Sequence, residues 1–225
     1  MPSIYQRALG SDFAKLHPQI QRRFSLSSES GVAAIGTGVM ERVWRGAAHT
    51  LPFLYLGIWR SILYPEQATD VHFNIQNYAY RDALGRETVT WVRKFATSQV
   101  RRFDAYMVYS ERRGCLVHYL GSHQHLAADL AVSVAQNGGL CFRSGKQRVY
   151  EGPLGAPLPL LFSGRAEVCE WYDDHEQCFR VEMTAANGIW GKLFGYTGRF
   201  QVDWAPVPPN YVPDSILPKR LEKRP

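Results

Sequence analysis

The chain has 225 residues, 45% of them hydrophobic and 13% aromatic, with a formal net charge of +6. This excludes a wholly disordered polypeptide and allows one large domain with a sizeable core. The excess charge is scattered and partly gathered at the end (Lys219, Arg220, Lys223 and Arg224 against Glu222), which describes a solvated surface with a basic tail and not a nucleic-acid stripe.

The N-terminus, Met1 to Gly10, lacks an apolar signal core, so a cytoplasmic location is expected. Cys115, Cys141, Cys169 and Cys178 form no CxxC pair, which argues against a zinc ribbon or a thioredoxin-type site. Reduced thiols are expected in that compartment. A Cys115–Cys141 bridge is the alternative if paired strands make them neighbours.

Ser3 to Arg23 reads as helix, with Ile4, Leu9, Phe13, Leu16 and Ile20 as its apolar stripe. Ser11 is placed to cap a second turn, and Pro18 suits the first turn of the next piece. Ser25 to Gly31 is a serine-rich loop. Ile35 to Gly46 reads as the first strand, where Gly36 and Gly38 mark a bulge or a close backbone contact. Leu51 to Tyr64 is the most apolar stretch. It is too short to cross a bilayer and carries Arg60, so a buried or interfacial helix is expected.

From Asp70 to Trp204 apolar side chains recur at every second position, the period of strands with one buried face. Val71, Phe73 and Ile75 share a face. After the turn Asp82-Ala-Leu-Gly85, the segment Arg86 to Phe95 runs back with Glu87, Val89, Trp91, Arg93 and Phe95 together. Phe103, Ala105, Met107 and Tyr109 alternate next. Leu116, His118 and Leu120 then oppose Val117 and Tyr119. Leu126 to Val134 is strand, with a helix over 127–135 as the competing reading. Asn137-Gly-Gly139 is a hairpin turn, and Leu140 to Tyr150 a long strand. Pro153 to Ser163 is a loop or short helix. Ala166 to Tyr172 and Cys178 to Ala186 make a further hairpin. Gly188 to Gly198 reads as a tight aromatic loop, and Phe200, Val202 and Trp204 close the sheet. Residues 205–225 hold six of the thirteen prolines and read as an extended tail behind a single domain over 1–204.

No strong catalytic signature stands on these strands. Lys192 is followed by Leu193, so the glycine-rich segment is no P-loop, and neither the dinucleotide fingerprint nor a Gly-x-Ser-x-Gly elbow occurs. Cys115 and His118, three apart on a strand, face opposite sides. His123-Gln-His125 offers two ligands on one face but no assured third, so no metal is assigned. The face of Glu87 and Arg93 carries more. If it is interior, its charges must be paired or line a wet cavity. Asp104 and His118 are candidate partners, and Arg93 or Arg148 could meet an acidic head group.

Several short motifs carry a resemblance: Ile4-Tyr-Gln-Arg-Ala-Leu-Gly-Ser-Asp-Phe13 with Leu16-His-Pro18, Gly36-x-Gly38-x-Met40, Gly85-Arg-Glu-Thr88 with Trp91-x-Arg93, Arg102-Phe-Asp104, and Phe194-Gly-Tyr-x-Gly198. With them the chain resembles a bacterial family catalogued as domain of unknown function 4166. Some members are the C-terminal partner of a saccharopine-dehydrogenase-like reductase, which implies a reductase partner. The family brings no catalytic residues to carry over.

The expected fold is α+β: a large curved antiparallel sheet of eight to ten strands, an open or closed barrel, with N-terminal and central apolar helices packed on it. Leu51–Tyr64 and Leu154–Phe162 would be apolar lids. The expected function is binding of an apolar or amphipathic, lipid-like small molecule without a cofactor. Arg93, His118 and Arg148 would form the polar end and Trp59, Trp91 and Phe103 the walls. The rivals are a module docking on a redox enzyme or peripherally on a membrane, and an enzyme using Glu87, Asp104 and His118 for acid–base work. Nucleic acid is not an expected partner.

Overall fold

The alternating segments build a twelve-stranded antiparallel sheet that closes on itself. The structure, a computed structural model, describes every residue except Arg60, Leu160 and Phe162, and all the remaining side chains except those of Phe53, Leu56 and Trp59. The strands are β1 (Val32–Arg45), β2 (Ala68–Asn77), β3 (Ala79–Arg81), β4 (Glu87–Ala96), β5 (Val100–Ser110) and β6 (Cys115–Leu120). They continue as β7 (Leu126–Val134), β8 (Leu140–Glu151), β9 (Leu154–Pro157), β10 (Arg165–Asp173), β11 (Cys178–Asn187) and β12 (Gly191–Pro206). Neighbours run β10-β11-β12-β1-β2-β4-β5-β6-β7-β8, and β8 pairs back onto β10, so ten strands form a closed barrel. The short β3 and β9 extend β4 and β8.

The closing seam sets Cys141 opposite Cys169, and the two are joined in a disulfide. This corrects the expectation of four reduced thiols. The signal was absent from the sequence because the pairing exists only once the barrel closes. Cys115 lies opposite Ser110 instead and is free, as is Cys178.

The N-terminal helix is broken into pieces. α1 (Ile4–Leu9) starts on a capping box between Ser3 and Gln6. A tight turn of 3-10 helix spans Gly10–Lys15, so Ser11 lies inside a turn and caps nothing. α2 (Pro18–Phe24) follows an extended His17, as the proline ring demands of the residue before it. These pieces plug one end of the barrel, burying Ile4, Tyr5, Phe13, Leu16, Ile20 and Phe24 in its core. Phe24 meets Tyr5 edge-on at 4.9 Å and Phe142 at 5.8 Å. Trp91 Nε1 donates to Tyr5 Oη at 2.9 Å. Arg23 of α2 reaches Glu170 of β10 in an ion pair, both side chains almost wholly buried.

Further along the strands a second apolar segment enters. α3 covers Leu51–Trp59, shorter than the expected helix over 51–64. Its Leu54 is fully buried, and Tyr64 meets Phe194 at 4.8 Å and Phe95 at 5.4 Å. Of the other expected lid, residues 154–157 are the exposed strand β9, while Leu160 and Phe162 lie outside the described residues.

β1 and β12 cross closely around a register shift between Val39 and Arg42. A side-chain carbon on Gly198 would stand 2.4 Å from the Val39 carbonyl oxygen, so only glycine fits there. This corrects the loop expected over Gly188–Gly198: the chain is already strand from Gly191. The segment over 127–135 is likewise strand, not helix.

After Pro206 the chain runs over the outer face of β5 to β8. There Tyr106, Val108, Val117, Tyr119, Ala127 and Tyr150 form a second apolar cluster. The hydroxyls of Tyr106, Tyr119 and Tyr150 donate to the carbonyls of Ile216, Arg224 and Pro225 at 3.0, 2.8 and 2.9 Å. Among the described residues no helix is long and apolar enough to cross a membrane.

Candidate functional site

Between the N-terminal plug and the α3 end, the barrel interior retains a cavity of about 140 Å³. Trp91, Met107 and Phe142 border it on the plug side, and Ile62 and Leu63 reach it from the segment after α3. Phe103, Leu130, Val168 and Met183 add apolar wall, and the polar lining consists of Arg93, His118, Ser144 and Gln147.

Arg93 is 2% exposed. β4 turns it inward with Val89, Trp91 and Phe95 because alternation along this strand is unbroken. Its Nε donates to the Phe103 carbonyl at 3.2 Å and Nη1 to Tyr196 Oη at 3.1 Å. The guanidinium lies 3.8 Å from the Phe103 ring centroid, a cation–π contact that offsets part of its lost hydration. Nη2 has no hydrogen-bond partner, and no carboxylate among the described residues forms an ion pair with this side chain.

His118, opposite Met107 on β5 and Ala128 on β7, lies on the same wall. Its side chain is half-buried and lines the cavity. Burial, and then the charge of Arg93, push its pKa down to about 3. The imidazole is therefore neutral near pH 7, and its Nε2 has no hydrogen-bond partner.

Of the residues singled out from sequence, Arg93, His118, Trp91 and Phe103 converge on this cavity. The Trp59 side chain lies outside the described residues. Arg148 faces outward: its Nη2 is 2.9 Å from Asp129 Oδ1 and its Nε donates to Tyr150 Oη at 3.1 Å. The reason is a bulge. Ala128 pairs with Gln147 but Leu130 with Ser144, so the alternation of β8 inverts between them. Gln147, not Arg148, is thus brought to the cavity.

Asp104 also points away from the interior, under the tail, where Arg102 grips both its oxygens at 3.1 and 2.9 Å. Burial raises its pKa against the pull of Arg102. Glu87 shares the inward face of β4 but sits at the plug end, where its carboxylate accepts from Ser28 Oγ at 2.8 Å and from the Ser28 backbone. Glu87, Asp104 and His118 therefore do not converge on one acid–base site. His123 and His125 stack at 5.8 Å beside Arg220, and no metal-holding group of three side chains occurs among the described residues.

One part of the wall is built differently. Pairing of β8 with β10 ends at Arg143–Glu167, and beyond it β8 pairs with β9. Side chains replace the ladder there. Ser144 Oγ accepts from Ala166 N at 2.7 Å, while the Gln147 amide donates to the Gly164 carbonyl and accepts from Gly164 N at 3.2 Å. Ser144, Gln147 and Gly164 line both the cavity and an outer groove of about 770 Å³ that includes Arg113, Lys146, Arg148 and Arg165.

The profile of a family described as "Domain of unknown function (DUF4166)" matches residues 16–200. The chain belongs to that family. Among curated proteins, an "Uncharacterized protein YndH" of Bacillus subtilis (strain 168) is 32% identical over 202 residues, 89% of this chain and 97% of that protein. No solved structure gives a significant match. The DUF4166 residues of this chain thus include the whole cavity lining.

Proposed function

We propose that this DUF4166 domain binds a small apolar or amphipathic molecule inside its barrel. The observation that carries the reading is the apolar space inside the barrel, with a charged and a neutral polar group on its wall. Its size narrows the guest. A dry cavity of about 150 Å³ in a protein core takes benzene, so a cavity of about 140 Å³ suits a guest of up to about ten heavy atoms and not a full-length lipid chain. The β8–β10 seam is the way in under this reading, because two side chains there are easier to part than a backbone ladder.

Native mass spectrometry of the purified protein, followed by organic extraction, tests the proposal. A stoichiometric adduct that extraction releases is the expected result. An adduct-free protein that also fails to take up 1-octanol in a titration would reject it.

A further inference from the structure

The chemistry of the wall says more about the guest than its volume does. This step rests on the reading just given. Arg93 is a full positive charge, buried, beside an apolar space. Its two hydrogen bonds go to neutral acceptors, a carbonyl and a phenol oxygen. Arg23, inside the same barrel, shows how the fold treats such a charge when no guest is involved: it supplies Glu170. For Arg93 it places no carboxylate in contact among the described residues; Glu170 and Asp104 feel its charge only at longer range. A buried cation with no carboxylate in contact is costly, and an anion arriving beside it would lower that cost.

The surroundings restrict what can arrive. The site offers one cation, a neutral imidazole and the uncharged Ser144 and Gln147, and the rest of the wall is aromatic and aliphatic. A single charge matches a monoanion; a phosphate dianion would leave charge unmatched in a low-dielectric space. Nη2, the guanidinium nitrogen left without an acceptor, suits a carboxylate oxygen as a charge-assisted partner. His118 adds a polar ring on the same wall, with Nε2 unpartnered.

We propose that the guest is a small monocarboxylate, its head group set between Arg93 and His118 and its apolar body against Trp91, Phe103, Met107 and Phe142. The head group forms a charge-assisted contact with the guanidinium, and the body covers the aromatic wall.

The test compares two probes of the same chain length, octanoate and 1-octanol, titrated into the full-length protein at neutral pH. Octanoate should bind at least about tenfold more tightly than octanol, the factor expected of one charge-assisted contact. Arg93→Gln should abolish that preference by lowering octanoate affinity at least about tenfold. His118→Leu, measured alongside, should reduce the preference severalfold and keeps the test open if Arg93→Gln fails to fold. Octanol binding as tightly as octanoate would overturn the carboxylate assignment while leaving the cavity reading in place. Binding of neither probe would overturn both.

Discussion

The two halves of the barrel interior are walled by the same strands and by similar residues, yet they are finished differently. The plug half is filled: Tyr5, Phe24, Trp91 and Phe142 interlock ring against ring, and the hollow around Arg23 has no room for a water molecule. The half toward α3 keeps open volume. The seam follows the same division, with a β-ladder and the Cys141–Cys169 disulfide beside the plug and side-chain stitches from Ser144 and Gln147 beside the cavity. An unpartnered nitrogen does not by itself distinguish the halves, since Arg23 Nη1 and Nη2 also lack acceptors. The difference is the contact ion pair: Arg23 touches Glu170, and Arg93 touches no carboxylate among the described residues, with Glu170 and Asp104 acting on it only at longer range.

That contrast can be broken most sharply with paired substitutions. Arg23→Met would strand the buried Glu170 carboxylate and should cost about 3–5 kcal/mol in denaturant unfolding. Arg93→Met removes a charge that touches no carboxylate and should cost less than Arg23→Met, about 1 kcal/mol for its two neutral hydrogen bonds. Equal losses in the two variants would show that the cavity half is as fully matched as the plug.

A smaller effect follows from His118. Its folded pKa of about 3 lies below the unfolded value of about 6.5. Native protein therefore favours the neutral ring, and between those values only the unfolded chain takes up the proton. This contribution to stability is whole above pH 6.5 and lost as pH falls toward 3, amounting to about 2 kcal/mol by pH 5. Because other carboxyls titrate in this range, the quantity to measure is the difference between parent and His118→Leu in unfolding free energy against pH. A constant difference from pH 7 to pH 5 would contradict an enclosed imidazole.

The smallest effect on stability concerns the stitched seam. Gln147→Ala removes a partly buried side-chain bridge and should cost about 1 kcal/mol, while speeding exchange of bound octanoate measured by NMR line shape. Unchanged exchange would place the way in elsewhere.

Much of this contrast is legible in the sequence. On β4, β5 and β6 the two-residue period is uninterrupted, so the inward placement of Trp91, Arg93, Phe103 and His118 follows from counting. Counting fails at β8, where the bulge exchanges Arg148 for Gln147. It fails for Asp104 for another reason: alternation puts that residue opposite Phe103, and its burial comes from the tail, which no local pattern predicts. Glu87 is on the correct face but at the wrong depth, because depth depends on where the plug stops. The disulfide depends on closure, which brings together strands whose cysteines are 28 residues apart.

The central claim is that the space beside Arg93 and His118 receives a guest. Intermolecular NOEs between octanoate and the isotope-labelled protein address it directly. The account predicts contacts from the octanoate chain to the Trp91 indole, the Met107 methyl and the Phe142 ring. Contacts confined to the outer groove or the C-terminal tail, with none to those three side chains, would contradict it.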